Sequence, residues 1–174
     1  MIAAALLRAA TISAALILTA GASLAQGSGN DRISAKLVAA ELKAMGFNAE
    51  VGADDDGAPK VSTVVDEYKW VIFFYNCDLS GDIGERPCNS VQYFSGYTVD
   101  KPVPPHTLNK WNMDNRYARG YVYESKEGGN SARIELDALF AGTGGDPART
   151  FRVHFDTMKR LTADFRAAIG YKKK

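Results

Sequence analysis

The stretch from Asp146 to Ile169 constrains the fold of this chain more than any other. Asp146-Pro147 is a strong helix start, with the aspartate as cap and the proline in the first turn. Phe151, Phe155, Met158, Thr162, Phe165 and Ile169 then recur at alternating steps of four and three, which puts all six on one face. A helix with such a stripe draws its stability from burying it. Near the other end, Ile33, Leu37, Val38, Leu42 and Met45 form a second stripe, with Asn30 or Asp31 available as cap and Gly46 as stop. Both helices must cover something.

The segments between them are short and rich in β-branched and aromatic residues, so a sheet is the expected cover. Phe47 to Val51 and Lys60 to Val65 read as strands about the acidic turn Asp54-Asp55-Asp56-Gly57. Trp70 to Tyr75 is apolar on both faces, which predicts a central strand buried at least partly on both sides. Val91 to Tyr97 alternates, with Val91, Tyr93 and Ser95 on one face and Gln92, Phe94 and Gly96 on the other. Pro102, Pro104 and Pro105 break the chain and start a short helix around Thr107 to Asp114. Tyr117 to Glu124 and Ala132 to Leu139 read as a hairpin about the turn Lys126 to Asn130.

The first residues predict a compartment. Arg8, an apolar run from about Ala9 to Ala20, and small residues at Ser23 and Ala25 are the three parts a signal peptidase reads. Cleavage is expected after Ala25, which sends the rest of the chain to the periplasm. The apolar run is shorter than the roughly 20 residues a spanning helix needs, so no stable membrane insertion is expected after cleavage. The resulting layout is a signal peptide over 1–25, a linker over 26–32, a single domain over 33–171 and a basic tail over 172–174. The 149 residues left are enough for one domain with a real core.

Cys77 and Cys88 are the only cysteines, and in an oxidising compartment such a pair is expected to form a disulfide. A metal pair or a redox dithiol is the alternative, although no CxxC occurs and no histidine lies close in sequence. Without Arg8 the mature chain has 20 basic and 20 acidic residues, a balance that gives no long-range attraction to nucleic acid or anionic lipid.

Few residue patterns point to chemistry. Counted from Asp54, a calcium loop would need a carboxylate where Val65 stands, so that motif fails. Asp78, Ser80, Asp82 and Glu85 alternate between the cysteines and offer oxygen ligands to a hard cation, but a solvated acidic loop accounts for them as well. His106 and His154 are too few for a zinc site when both cysteines are spent. No nucleophile elbow, P-loop or dinucleotide fingerprint is present. Arg152, Lys159 and Arg166 recur every seven residues and read as the wet face of the last helix, with Arg149 and Arg160 nearby.

Asn109, Trp111, Asn112 and Arg116 form the best candidate cluster. Asn109 and Asn112 share a helix face, and Arg116 falls near the strand that carries Tyr121. Either they bind a ligand, or Trp111 packs on the sheet while Asn112 and Arg116 hold the chain as it turns back.

The run Trp70 to Cys77, then Cys88 and an aromatic strand, then Leu108-Asn109-Lys110-Trp111-Asn112 with Arg116-Tyr117 and Tyr121, resembles the YbjN family of bacterial proteins. Gly46-Phe47 and Leu136-Asp137 also fit, and the likeness extends from about Ile33 to Ile169. It implies an α+β fold similar to the type III secretion chaperones, an antiparallel sheet flanked by helices, and a role as a candidate sensory transduction regulator. It implies no catalytic residues. A signal peptide departs from cytoplasmic members of that family.

The expectation is therefore a non-enzymatic periplasmic binding or regulatory module that takes a protein or peptide partner and needs no cofactor. The contact surface would combine Asn109, Trp111, Asn112, Arg116 and Tyr121 with aromatics such as Tyr93, Tyr97 and Tyr123. Alternatives are a metal-dependent hydrolase built on the Asp78 to Glu85 loop, a small-ligand binding protein, or a structural envelope homodimer joined through a sheet face.

Overall fold

A computed structural model of the chain describes residues 31–124 and 130–172. The leader, the linker up to Asn30, the turn residues 126–129 and the last two lysines lie outside the described residues. In chain order the elements are α1 (Ala35–Ala44), β1 (Ala49–Ala53), β2 (Pro59–Val65), β3 (Tyr68–Cys77), β4 (Cys88–Thr98), α2 (Pro105–Asp114), β5 (Ala118–Glu124), β6 (Asn130–Leu139) and α3 (Pro147–Ala168). The strands form one sheet in the order β1-β2-β3-β4-β6-β5, every neighbouring pair antiparallel. This is the α+β class that the residue patterns predict.

All three helices pack on the same side of the sheet. α1 lies against β1 and β2, α2 against β5, and α3 crosses β4, β5 and β6 while touching both other helices. Phe151, Phe155, Met158, Thr162 and Phe165 of α3 are each at most 1% exposed, so the predicted stripe is the keel of the core. It meets Val61 and Val65 of β2, Trp70, Ile72 and Phe74 of β3, Tyr93 and Tyr97 of β4, and Ile134 and Leu136 of β6. The Phe155 ring sits 5.4 Å from that of Trp70 and 5.2 Å from that of Phe47. Asp146 caps α3 as predicted, its carboxylate accepting from the Ala148 N–H at 3.0 Å.

One expectation changes. The cap of α1 is Ser34, whose hydroxyl accepts from the Leu37 N–H at 3.3 Å. Asn30 lies outside the described residues, and Asp31 does not fill that role, because Ile33 is pulled into a β-bridge with Cys88 and leaves the helix to start two residues later. The Asp31 carboxylate instead accepts from the Gly144 N–H at 3.1 Å, ahead of α3. β3 is buried fully on one side and partly on the other, as its two apolar faces predict. Trp70, Ile72 and Phe74 are fully enclosed, whereas Val71 and Phe73 are half-buried and Tyr75 is 44% exposed. No described helix covers that second face. Its apolar residues are shielded sideways, Phe73 by the Phe94 ring at 6.0 Å.

Cys77 and Cys88 stand opposite one another where β3 meets β4, and a disulfide joins them. The loop they close is also held from outside. Arg32 donates to both carboxylate oxygens of Asp78 at 2.9 and 3.0 Å, and the Lys36 N–H donates to the Gly84 carbonyl at 2.8 Å. The acidic turn between β1 and β2 has a local cause, since one Asp54 carboxylate oxygen accepts from the N–H groups of Asp56 and Ala58 at 3.0 and 2.8 Å.

Candidate functional site

The cluster singled out on α2 divides between core and surface. Trp111 is only 4% exposed and stands edge-on to Phe165 with ring centres 5.0 Å apart. Asn112 reaches across to β5, where its amide nitrogen donates to the Gly120 carbonyl at 3.0 Å and its carbonyl accepts from the Gly120 N–H at 2.8 Å. β5 is an edge strand, and this side chain imitates the peptide group of a further strand at Gly120. Gly120 is required there for another reason as well: a Cβ at that position would lie 2.4 Å from the Phe165 ring. Trp111 and Asn112 thus follow the structural reading. We expect Asn112→Ala to cost about 1–3 kcal/mol, because the donor and acceptor of buried Gly120 both lose their partner. A urea unfolding midpoint measures it.

Asn109 is exposed and borders a shallow groove with Pro105, Leu108 and Val122. Arg116 is exposed too, its guanidinium 5.3 Å above the ring of Tyr117. Asn112 and Tyr121 line the same groove as Asn109, while the Tyr121 hydroxyl reaches Glu135 on the side of the sheet that no described helix covers.

That open face carries a connected polar network. Glu135 of β6 is 9% exposed and lies at its centre. The Tyr121 hydroxyl donates to one of its oxygens, and the Arg119 guanidinium donates to the other at 2.9 Å. Gln92 of β4 donates to Asp137 at 2.9 Å, and Arg119 also approaches Asp137 at 3.5 Å. The Tyr75 hydroxyl reaches Gln92 at 3.4 Å. On the flank, the Arg133 guanidinium lies 3.5 Å from the centre of the Tyr123 ring and 5.7 Å from that of Phe94. The pairing register puts these residues side by side: Gln92 opposite Asp137, Phe94 opposite Glu135, Arg119 opposite Glu135 and Tyr121 opposite Arg133.

The Tyr121 phenol is pushed up to about 12, first by loss of solvent and then by the Glu135 carboxylate, whose charge opposes a second anion. A folded-state value above the ordinary 10 stabilises the fold fully below pH 10, and that contribution is lost as pH rises from 10 through 12. The residue keeps some exposure to solvent, and the screening this allows keeps the effect small. Stability measured across that window is expected to fall more steeply in the wild type than in Tyr121→Phe.

Tyr93 and Tyr97, expected as contact residues, are 0% and 1% exposed and belong to the core. Strand alternation put them on one face and Phe94 on the other, but the helices settled on the tyrosine side. The Tyr93 hydroxyl donates to the Phe151 carbonyl at 3.2 Å, and burial raises its pKa well above the ordinary value.

The acidic loop between the cysteines has its carboxylates partnered by other groups of the chain. Asp78 pairs with Arg32, Glu85 with Lys36, and Asp82 accepts from the Gly84 N–H at 2.8 Å. His106 is exposed at the start of α2, and one ring nitrogen of His154 lies 2.9 Å from the Thr150 carbonyl. The basic stripe of α3 is less free than its spacing suggests. Arg152 pairs with Glu41 of α1 at 2.6 Å, Lys159 with Asp66 at 3.4 Å, and the Arg166 guanidinium covers the Tyr68 ring at 4.2 Å.

No family model and no curated protein matches this chain. Among solved structures, YbjN from E. coli, described as a candidate transcription regulator, superposes with a TM-score of 0.50 at 10% identity. The match covers 80% of this chain and 96% of that one. The likeness is one of fold. It agrees with the α+β architecture and with the fold that the resemblance implies, and it assigns no site.

Proposed function

We propose that this chain is a non-enzymatic periplasmic module with a binding or regulatory role, and that its contact surface is the open face of the sheet. The observation that carries this reading is the lopsided packing: α1, α2 and α3 share one side, while the other presents Phe73, Phe94, Tyr121, Tyr123 and Arg133 around a buried carboxylate. Aromatic and arginine side chains gathered on an uncovered face are the composition of binding surfaces. The fold it shares with a candidate transcription regulator supports the regulatory half of the reading. A near-neutral charge balance argues for a protein, peptide or small ligand in preference to nucleic acid.

Affinity capture from envelope extracts tests the surface. Partners retained by the wild type and by Asn109→Ala are expected to be lost with the double variant Tyr123→Ala, Arg133→Ala. If that variant captures the same set, the open face is not the contact surface. The compartment has its own test: the protein purified from the periplasmic fraction is expected to begin at Gln26, and an intact chain confined to the cytosol would contradict it.

A further inference from the structure

We propose that the chain pairs with a second copy of itself through the free edge of β1, the two strands running antiparallel about a twofold axis at Val51. The proposal goes beyond the open-face reading, since it uses the rim of the sheet and leaves that face free. The two edges of the sheet are finished differently. At β5 the Asn112 side chain occupies both backbone groups of Gly120. β1 carries no proline, lysine or bulge, the devices that keep an edge strand from pairing with another chain.

The direction of its unpaired groups follows from the turn beside it. The Asp54 N–H donates to the Ala58 carbonyl at 2.9 Å, and bonded and non-bonded pairs alternate along an antiparallel ladder. Glu50 and Gly52 therefore bond to Ser62 and Lys60 of β2, while Ala49, Val51 and Ala53 turn their N–H and C=O groups outward. These three residues match themselves in one register: Val51 faces the second copy's Val51, and Ala49 faces its Ala53. Each such pair can exchange two backbone hydrogen bonds. Val51 shares the helix side with its buried neighbour Val61 yet is 41% exposed, and its counterpart would cover it.

Charge selects this register. It sets the exposed Glu50 of one copy opposite Gly52 of the other, and Lys60 stands beside Gly52 on β2. Gly52 has no positive φ, and a Cβ there would meet only the Lys60 side chain, at 4.0 Å. Its own fold does not demand a glycine, but a bare backbone lets Lys60 lie across β1 toward the edge where the incoming carboxylate arrives. Neither Glu50 nor Lys60 is in an ion pair among the described residues. Twofold symmetry makes the contact twice. An axis moved to Glu50 would instead set two carboxylates directly opposite each other, which is unfavourable.

Sedimentation of the purified protein over a concentration series tests the proposal. The wild type is expected to dimerise as concentration rises. Glu50→Lys or Lys60→Glu alone puts like charges at both contacts and should weaken association about tenfold or more. An equal mixture of the two variants should regain it, because every contact between them joins opposite charges. Val51→Pro removes only an outward N–H, so it should abolish the dimer and keep a melting temperature close to that of the wild type. Tyr123→Ala with Arg133→Ala should leave the dimer unchanged. A strictly monomeric wild type, a dimer indifferent to the β1 and Lys60 variants, or a mixture that stays monomeric overturns the proposal. The open-face reading is untouched by those results, since it falls only if the Tyr123 and Arg133 double variant keeps its captured partners. A monomer that loses captured partners on Val51→Pro would place a foreign extended strand on this edge and also overturn the proposal.

Discussion

Trp111→Ala is expected to destabilise the domain by about 3–5 kcal/mol, the range for emptying a large aromatic site in a core. The side chain joins α2 to the rest of the molecule: it is 4% exposed and packs on Phe165, whose ring also fills the space above Gly120. Removing the indole leaves a cavity that Gly120 cannot fill and loosens the helix that carries the Asn112 clamp. A urea titration reads the loss as a lower midpoint with an unchanged slope. A midpoint within experimental scatter of the wild type would mean that Trp111 is not the anchor described, and would return it to the list of contact residues.

Breaking the disulfide is expected to cost about 3 kcal/mol, the chain-entropy value for a short closed loop. For a domain of this size that corresponds to a melting temperature lower by roughly 10 °C. The native loop should stay in place, because the Arg32–Asp78 and Lys36–Glu85 pairs and the Asp78 N–H to Pro87 carbonyl bond still hold it. The loss therefore acts through a freer unfolded chain, and Cys77→Ser combined with Cys88→Ser should match wild type in reductant. Equal melting temperatures with and without dithiothreitol, in samples whose thiols are shown to be free, would contradict this.

The residues that declared themselves in sequence were those governed by a local period. The α3 stripe and the two faces of β4 follow from spacing alone, because a stripe is a property of one element. Which face of the sheet the helices would choose is a property of the whole molecule. Period two tells that Tyr93 and Tyr97 share a side and that Phe94 faces away from them, but not which side meets α3. For the same reason the two apolar faces of β3 tell that both are at least partly buried but not by what: Phe73 is sheltered by its neighbour Phe94 and not by a second helix layer.

Partners distant in sequence were equally hidden. The α3 stripe of Arg152, Lys159 and Arg166 has the spacing of a solvated face, yet Glu41, Asp66 and Tyr68 come to it from the far end of the chain. Asn112 was visible as a residue of interest, and its work at the β5 edge was one of the two readings open for it. The Glu135 centre left no signal beyond an acidic residue in an alternating strand, since it becomes a site only when β4, β5 and β6 align Gln92, Arg119 and Tyr121 around it.

Site-specific photocrosslinking in cells tests most directly where the molecule makes contact. A benzophenone side chain placed at Tyr75 or Tyr123 samples the open face, and one at Asn109 samples the helix side by the α2 groove. Adducts from the first two positions and none from Asn109 are the expected result. Adducts at Asn109 with none at Tyr75 and Tyr123 would show that contact occurs on the opposite side of the sheet.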